Sequence, residues 1–431
     1  MLLAIATGLV AIVALEGFSC AALRVSEGRW LGLADLGAAR AGAAEGERGE
    51  ALTRGPAGRI RRGRVSVLHP YLGYVMHPRL AASRSRLASA AFHPLSVELG
   101  FPHNRESVLQ APDPARAVVG IFGGSVADIL TEYGADALRA TLEEAPAFRG
   151  REIVLLSLAA PGYKQPQALM ALNYLLVLGA HFDAVVNLDG VNELALPESE
   201  LAPLGVAPFY PRAWHARAAQ LSPELLRSLG RVAHLEEVRR ERALLFSRVP
   251  LRWSLTAGLT WSLLDRRLAA RAAAAESVLL ERRGRYDPQA HGPRLASDDD
   301  VQSRAVSVWQ HSSRQMARLC ASLGIPYFHF LQPNQYVLGA KPMGAAERRI
   351  AFREDSPMRL PIERGYARLR EAGAALAAEG VAFNDSSNVF VDVAEPAYVD
   401  DCCHLDVLGN RLLGTAIGRA MASAPALATP P

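Results

Sequence analysis

The sequence predicts a three-layer α/β/α domain built on a mostly parallel five-stranded sheet, with a helical insertion and an N-terminal membrane anchor. Three observations carry that expectation. Short apolar runs recur at Val118–Phe122, Ile153–Ser157, Ala184–Leu188 and Tyr327–Leu331, with a weaker one at Val381–Asn384. Continuous runs of this kind suit parallel strands covered on both faces. Helical periodicity fills 126–144, 165–178 and 301–323 between them, and strand alternating with helix implies right-handed crossovers. Polar residues collect just after the runs, at the carboxyl edge where such sheets place their sites.

The chain has 431 residues, half of them hydrophobic, and a net charge of +4. That is enough for a sizeable core in one or two domains. The pI near 9.0 comes from arginine, since Lys164 and Lys341 are the only lysines. No basic face with interleaved aromatics stands out, which argues against a nucleic-acid partner. Cys20, Cys320, Cys402 and Cys403 have neither metal-ligand spacing nor the density of a disulfide framework. Neither a cofactor nor a metal is expected.

Taken in order, residues 1–25 are apolar from Leu2 to Leu23 apart from Glu16 and a few small residues. About 20 such residues can span a bilayer, and without a basic n-region or a clear cleavage site an uncleaved anchor is favoured over a signal peptide. Arg24, Arg29 and Arg40 follow the segment, and counted strictly this places the body in the cytoplasm. Residues 26–64, rich in Ala, Gly, Glu and Arg, read as a solvated linker with some helix and an arginine run at Arg59, Arg61, Arg62 and Arg64. Residues 65–115 open with alternation and aromatics and read as a strand-and-loop extension on the main domain.

The main domain occupies 116–193 and resumes at 301–421. Leu188 and Tyr327 stand much too far apart for one crossover, so 194–300 is expected to be a helical insertion. Trp253 and Trp261 fall near one helical face within it. Asp298-Asp299-Asp300 is expected to cap the helix that follows. Residues 422–431 read as a disordered tail.

Four pieces carry the candidate chemistry. In Gly123-Gly124-Ser125-Val126 a serine opens a helix directly after a strand. Its hydroxyl is expected at the carboxyl edge of the sheet, and its N–H lies in the first helical turn, where amides are unpaired and the potential is positive. That setting suits a nucleophile whose substrate develops an oxyanion, although a capping serine would look the same. Gly162, after the second run, allows close backbone approach. Asn192, after the third, offers a side-chain amide or a helix cap. Near the C-terminus, Asp401 and His404 lie in a turn before a helix that Asp406 can cap, with Leu408, Leu412 and Ile417 expected on its buried side. A carboxylate three residues before an imidazole can reach Nδ1–H and leave Nε2 for a serine hydroxyl.

In that order the four pieces resemble the SGNH (GDSL-type) hydrolase family, over Val118 to about Met421. The fold is then SGNH/flavodoxin-like. The resemblance implies Ser125 as nucleophile, His404 as general base and acid, and Asp401 orienting His404. It also implies an oxyanion hole from the N–H groups of Ser125 and Gly162 and the amide of Asn192. The usual Gly-Asp-Ser-Leu is Gly123-Gly124-Ser125-Val126 here, so one aspartate is missing from the first block. The stretches 69–74, 162–167 and 331–335 are similar to membrane-anchored bacterial members, which implies an extracytoplasmic, periplasmic body. Gln332, Asn334 and Gln335 follow the fourth run and suit either sugar hydroxyls or their own loop's backbone. The expected activity is hydrolysis of an O-acyl ester, O-acetyl included, of a small molecule, glycan or lipid. The alternatives are an O-acyltransferase with the same triad and a non-catalytic glycan-binding or assembly protein.

Overall fold

In the computed structural model, residues 2–27, 30–45, 66–77, 92–214, 223–281 and 295–429 are described. The arginine run at 59–64 lies outside them. The apolar runs become β3 (Arg116–Gly123), β4 (Glu152–Ser157), β5 (Ala184–Asp189), β6 (Tyr327–Leu331) and β7 (Ala382–Asp385), preceded by a hairpin of β1 (Ser66–His69) and β2 (Gly73–Met76). The five form one sheet in the order β4-β3-β5-β6-β7, parallel at every pairing. All six residues of β5 are buried, as are all five of β6, which is why these segments do not alternate. Each large side chain in this core, such as Ile121, Val186 and Phe328, contributes about 1.5–3 kcal/mol by leaving water.

Helix boundaries depart from the periodicity where glycine allows close packing. The expected helix 126–144 is two helices, Ser125–Tyr133 and Ala135–Leu142. They meet at Gly134, where a Cβ would come within 2.5 Å of Asn410 O. The final helix, Val407–Ala422, is capped by Asp406, which accepts from Gly409 N as expected. Its buried face is set by Gly409, Leu413, Gly414, Ile417, Gly418 and Met421. Leu408 is 39 % exposed, so it does not belong to that face. A Cβ on Gly418 would collide with Thr141 Oγ1 of the helix Ala135–Leu142. Gly418→Val is therefore expected to cost about 2 kcal/mol or more, read as a lower urea midpoint.

Three further expectations are corrected. The tail is not disordered throughout, because Leu427 is buried and its carbonyl accepts from Ala147 N at 3.1 Å. The insertion does not start at 194. Val191–Leu196 is a fully buried helix and, with the turns as far as Trp214, belongs with the sheet. The cap before 298–322 is Ser297, closed into a capping box by Asp300. Asp298 and Asp299 lie in the first turn, where carboxylates meet the positive end of the helix.

The chain divides into two units: Met1–Val65 with Ala218–Arg283, and Ser66–Arg217 with Gly284–Pro431. The first thus joins the expected anchor, linker and insertion, which the sequence had kept apart. Within it the helices Leu2–Glu27, Leu33–Glu45, Pro223–Phe246 and Leu255–Glu281 pack together. Glu16 accepts from Leu255 N at 2.6 Å and from Ser254 Oγ at 2.5 Å. Arg239 donates twice to Asp265, at 2.8 and 2.9 Å. Trp261 is buried while Trp253 is exposed, so the two do not share a face. Among the described residues, no helix is long and apolar enough to cross a membrane, and the expected spanning anchor is unsupported.

Candidate active site

Ser125 follows β3 across Gly123 and Gly124 and is the first residue of its helix. Gly123 has φ of 145°, and a Cβ there would collide with Leu188 O of β5. At Gly124 a Cβ would collide with the Asn192 amide nitrogen. Only glycines let the turn lie this tightly against β5 and the residues after it. The serine hydroxyl is thereby held at the carboxyl edge of the sheet.

His404 arrives from the far end of the chain, in the turn before the last helix. Its Nε2 lies 2.7 Å from Ser125 Oγ. Its Nδ1 lies 2.5 Å from Asp400 Oδ2. With Nδ1–H donating to Asp400, Nε2 is left to accept from the hydroxyl, the order a serine nucleophile needs. The carboxylate is Asp400, so the expectation for Asp401 is corrected. Asp400 Oδ1 accepts from Cys402 N, Cys403 N and His404 N, at 3.0, 3.2 and 3.2 Å. This folds the carboxylate over its own turn and aims the other oxygen at His404. Asp401 lies instead 3.9 Å from the Arg353 guanidinium.

The electrostatics agree with these roles. Burial alone would raise Asp400, but the His404 hydrogen bond and charge and the backbone N–H donors outweigh it, and its pKa ends below the usual value. Burial alone would lower His404. The Asp400 hydrogen bond and the charges of Cys402 and Asp400 outweigh that, and its pKa ends above the ordinary imidazole value.

The other residues expected to form an oxyanion hole follow β4 and β5. Asn192 is buried, touches Gly124 and donates to Tyr163 O at 2.8 Å. Gly162 lies in the same loop as Tyr163, with φ of 79°, against Tyr74 Oη and the Arg212 side chain. The hairpin braces this loop: Tyr74 Oη donates to Pro161 O at 2.9 Å, and Tyr163 Oη donates to Tyr74 O at 2.6 Å. The residues named for the hydroxyl, imidazole and amide are thus brought together, with Gly162 on the adjoining loop.

Several contributors were not foreseen. Glu193 ties the loops after β4 and β5, accepting from Gln165 N and Gly190 N, both at 2.8 Å. Burial, then Asp189, pushes its carboxyl up to about 8 against those two donors. Lys164 beside it is drawn down to about 7 by burial, with Glu193 and Glu200 opposing. Arg212 pairs with Glu200 at 3.0 Å and brings positive charge close enough to act on Cys402 and His404. The Asn187-x-Asp189 alternation at a buried strand end was the available signal for one more contributor. Asp189 accepts from Trp309 Nε1 at 2.6 Å and from His329 Nε2 at 2.9 Å. Asn334 and Gln335 serve their own surroundings, donating to Cys402 O at 2.8 Å and to Asp400 O at 3.0 Å. They hold the turn that carries Asp400 and His404.

Cys402, Cys403 and His404 place one donor atom each within 4.8 Å of the others, a set that suits a thiophilic ion. His404, however, commits both ring nitrogens to Asp400 and Ser125. No known family model matches the chain, and no curated protein matches it.

Proposed function

We propose that the protein is a serine esterase of SGNH type, hydrolysing an O-acyl ester of a glycan or lipid with Ser125, His404 and Asp400. The observation that carries this reading is the continuous hydrogen-bonded chain from Ser125 Oγ through His404 to Asp400. Ser125 Oγ attacks the ester carbonyl carbon as its proton passes to His404 Nε2. The carbonyl electron pair moves onto oxygen and meets the Ser125 N–H, the Asn192 amide and the Gly162 backbone. Collapse expels the alcohol, which takes the proton from Nε2, and leaves an acyl-serine. Water, deprotonated by the same nitrogen, then releases the acid. The missing aspartate of the first block removes no proton-transfer group from this sequence. Fluorophosphonate labelling tests the nucleophile: Ser125 should be modified in the parent and unmodified in His404→Ala.

The base must be neutral to accept the hydroxyl proton. Turnover is therefore expected to rise as pH climbs through the raised His404 pKa, and to be lost below it. A kcat/KM profile against pH checks this. Asp400→Asn removes the main raising partner, so its residual activity should turn on at lower pH.

We also infer attachment to a membrane surface. Val10, Ile12, Val13 and Phe18 of the first helix are all at least 60 % exposed, an apolar display that favours a lipid interface. The expected result is recovery in a membrane pellet and release by removing residues 1–30. Recovery of the intact chain in the supernatant would refute it.

A further inference from the structure

Beside the triad lies a chemistry the ester mechanism does not use. Cys402 and Cys403 are neighbours in the chain, both buried, with their sulfurs 3.1 Å apart. Neither Cys20 nor Cys320 pairs with another cysteine. Cys320 is an inert thiol, pushed up to about 12 by burial. Cys402 differs: the hydrogen bond from Cys403 draws it below its ordinary value despite burial, and the charges of His404 and Arg212 assist. It is also the more exposed of the pair, at 8 % against 2 %. An attacking thiol with some thiolate character and a resolving thiol in contact with it are the two parts of a redox couple.

The pair is wired into the catalytic turn. The N–H groups of both cysteines donate to Asp400 Oδ1, and that bond set is what turns Asp400 Oδ2 towards His404. A trans peptide holds neighbouring Cα atoms about 3.8 Å apart, closer than ordinary disulfides span. Closing a bond between adjacent cysteines must therefore rotate the 402–403 peptide, whose N–H is one of the donors to Asp400. The strained bond is in turn readily reduced.

We propose that Cys402 and Cys403 form a reversible vicinal disulfide that breaks the Asp400–His404 pair and silences Ser125. The oxidant is a small-molecule disulfide. The Cys402 thiolate attacks one of its sulfurs and expels the first thiol, giving a mixed disulfide. Cys403 then attacks the Cys402 sulfur, forming the intramolecular bond and expelling the second thiol. The protein loses two protons and two electrons, and the small disulfide gains both. Closure of the bond stands apart from the esterase reading; its effect on turnover rests on that reading.

The test treats the reduced full-length chain with oxidised glutathione, then follows the 402–403 peptide by mass and Ser125 by fluorophosphonate labelling. The expected result is a peptide lighter by two hydrogens and resistant to iodoacetamide. Labelling should slow by about tenfold or more, and dithiothreitol should reverse both changes. Cys402→Ser should lose the response to oxidant; if that variant does not fold, the oxidation–reduction cycle of the parent decides alone. Thiols that both stay alkylatable, or a closed bond that leaves labelling unaltered, would overturn the proposal. If the reduced parent does not label at all, the esterase reading fails. The far-downfield imidazole N–H proton of His404, present when reduced and lost when oxidised, then decides the proposal instead.

Discussion

Ser125→Ala is expected to leave a folded protein whose ester turnover is lower by about a thousandfold or more, the scale on which triad nucleophiles act. The hydroxyl is buried at the head of its helix and hydrogen-bonds to His404 Nε2. Removing one oxygen there opens little space, so the urea midpoint should stay near that of the parent. Hydrolysis of p-nitrophenyl acetate measures the loss. A variant that still turns over at the parent rate would end the esterase reading.

The second large effect separates two adjacent carboxylates. Asp400→Asn should lower kcat by about 10³–10⁴-fold, because the amide cannot hold the imidazole in the required tautomer or balance its positive charge. Asp401→Asn should cost far less, since that side chain points to Arg353 and not to His404. Parallel rate measurements on the two variants decide the matter. Equal losses, or a larger loss at Asp401, would contradict the hydrogen bond between Asp400 and His404.

This pair also marks where the sequence stopped being legible. Strand positions were readable because both faces of the sheet are covered, which leaves β5 and β6 uninterrupted by polar residues apart from those that serve the site. Ser125, Asn192 and His404 were readable because each follows a glycine turn or precedes a capped helix. The choice between Asp400 and Asp401 was not. Both lie within reach of His404 in an undefined turn, and the three backbone N–H groups that select Asp400 exist only once the turn has folded. Glu193 was hidden for a related reason. Its two backbone partners come from the ends of different strands, and no spacing in the chain announces them. The start of the insertion was misplaced because Leu194 and Leu196 continue a helical pattern whose burial against the sheet, and not its periodicity, assigns it to the main domain. Joining the N-terminal helices to those after residue 218 depended on contacts such as Glu16 with Leu255, which periodicity does not encode.

The hydroxyl and the imidazole that meet at the carboxyl edge of the sheet are 279 residues apart in the chain. Contacts this remote form late, after the intervening segments have closed. A nascent polypeptide on the ribosome thus carries its serine through the synthesis of everything between it and His404 with no imidazole at hand. On the proposed reading, chemical competence arrives only once His404 has been made and has folded against Ser125, and until then the growing chain carries an unactivated hydroxyl.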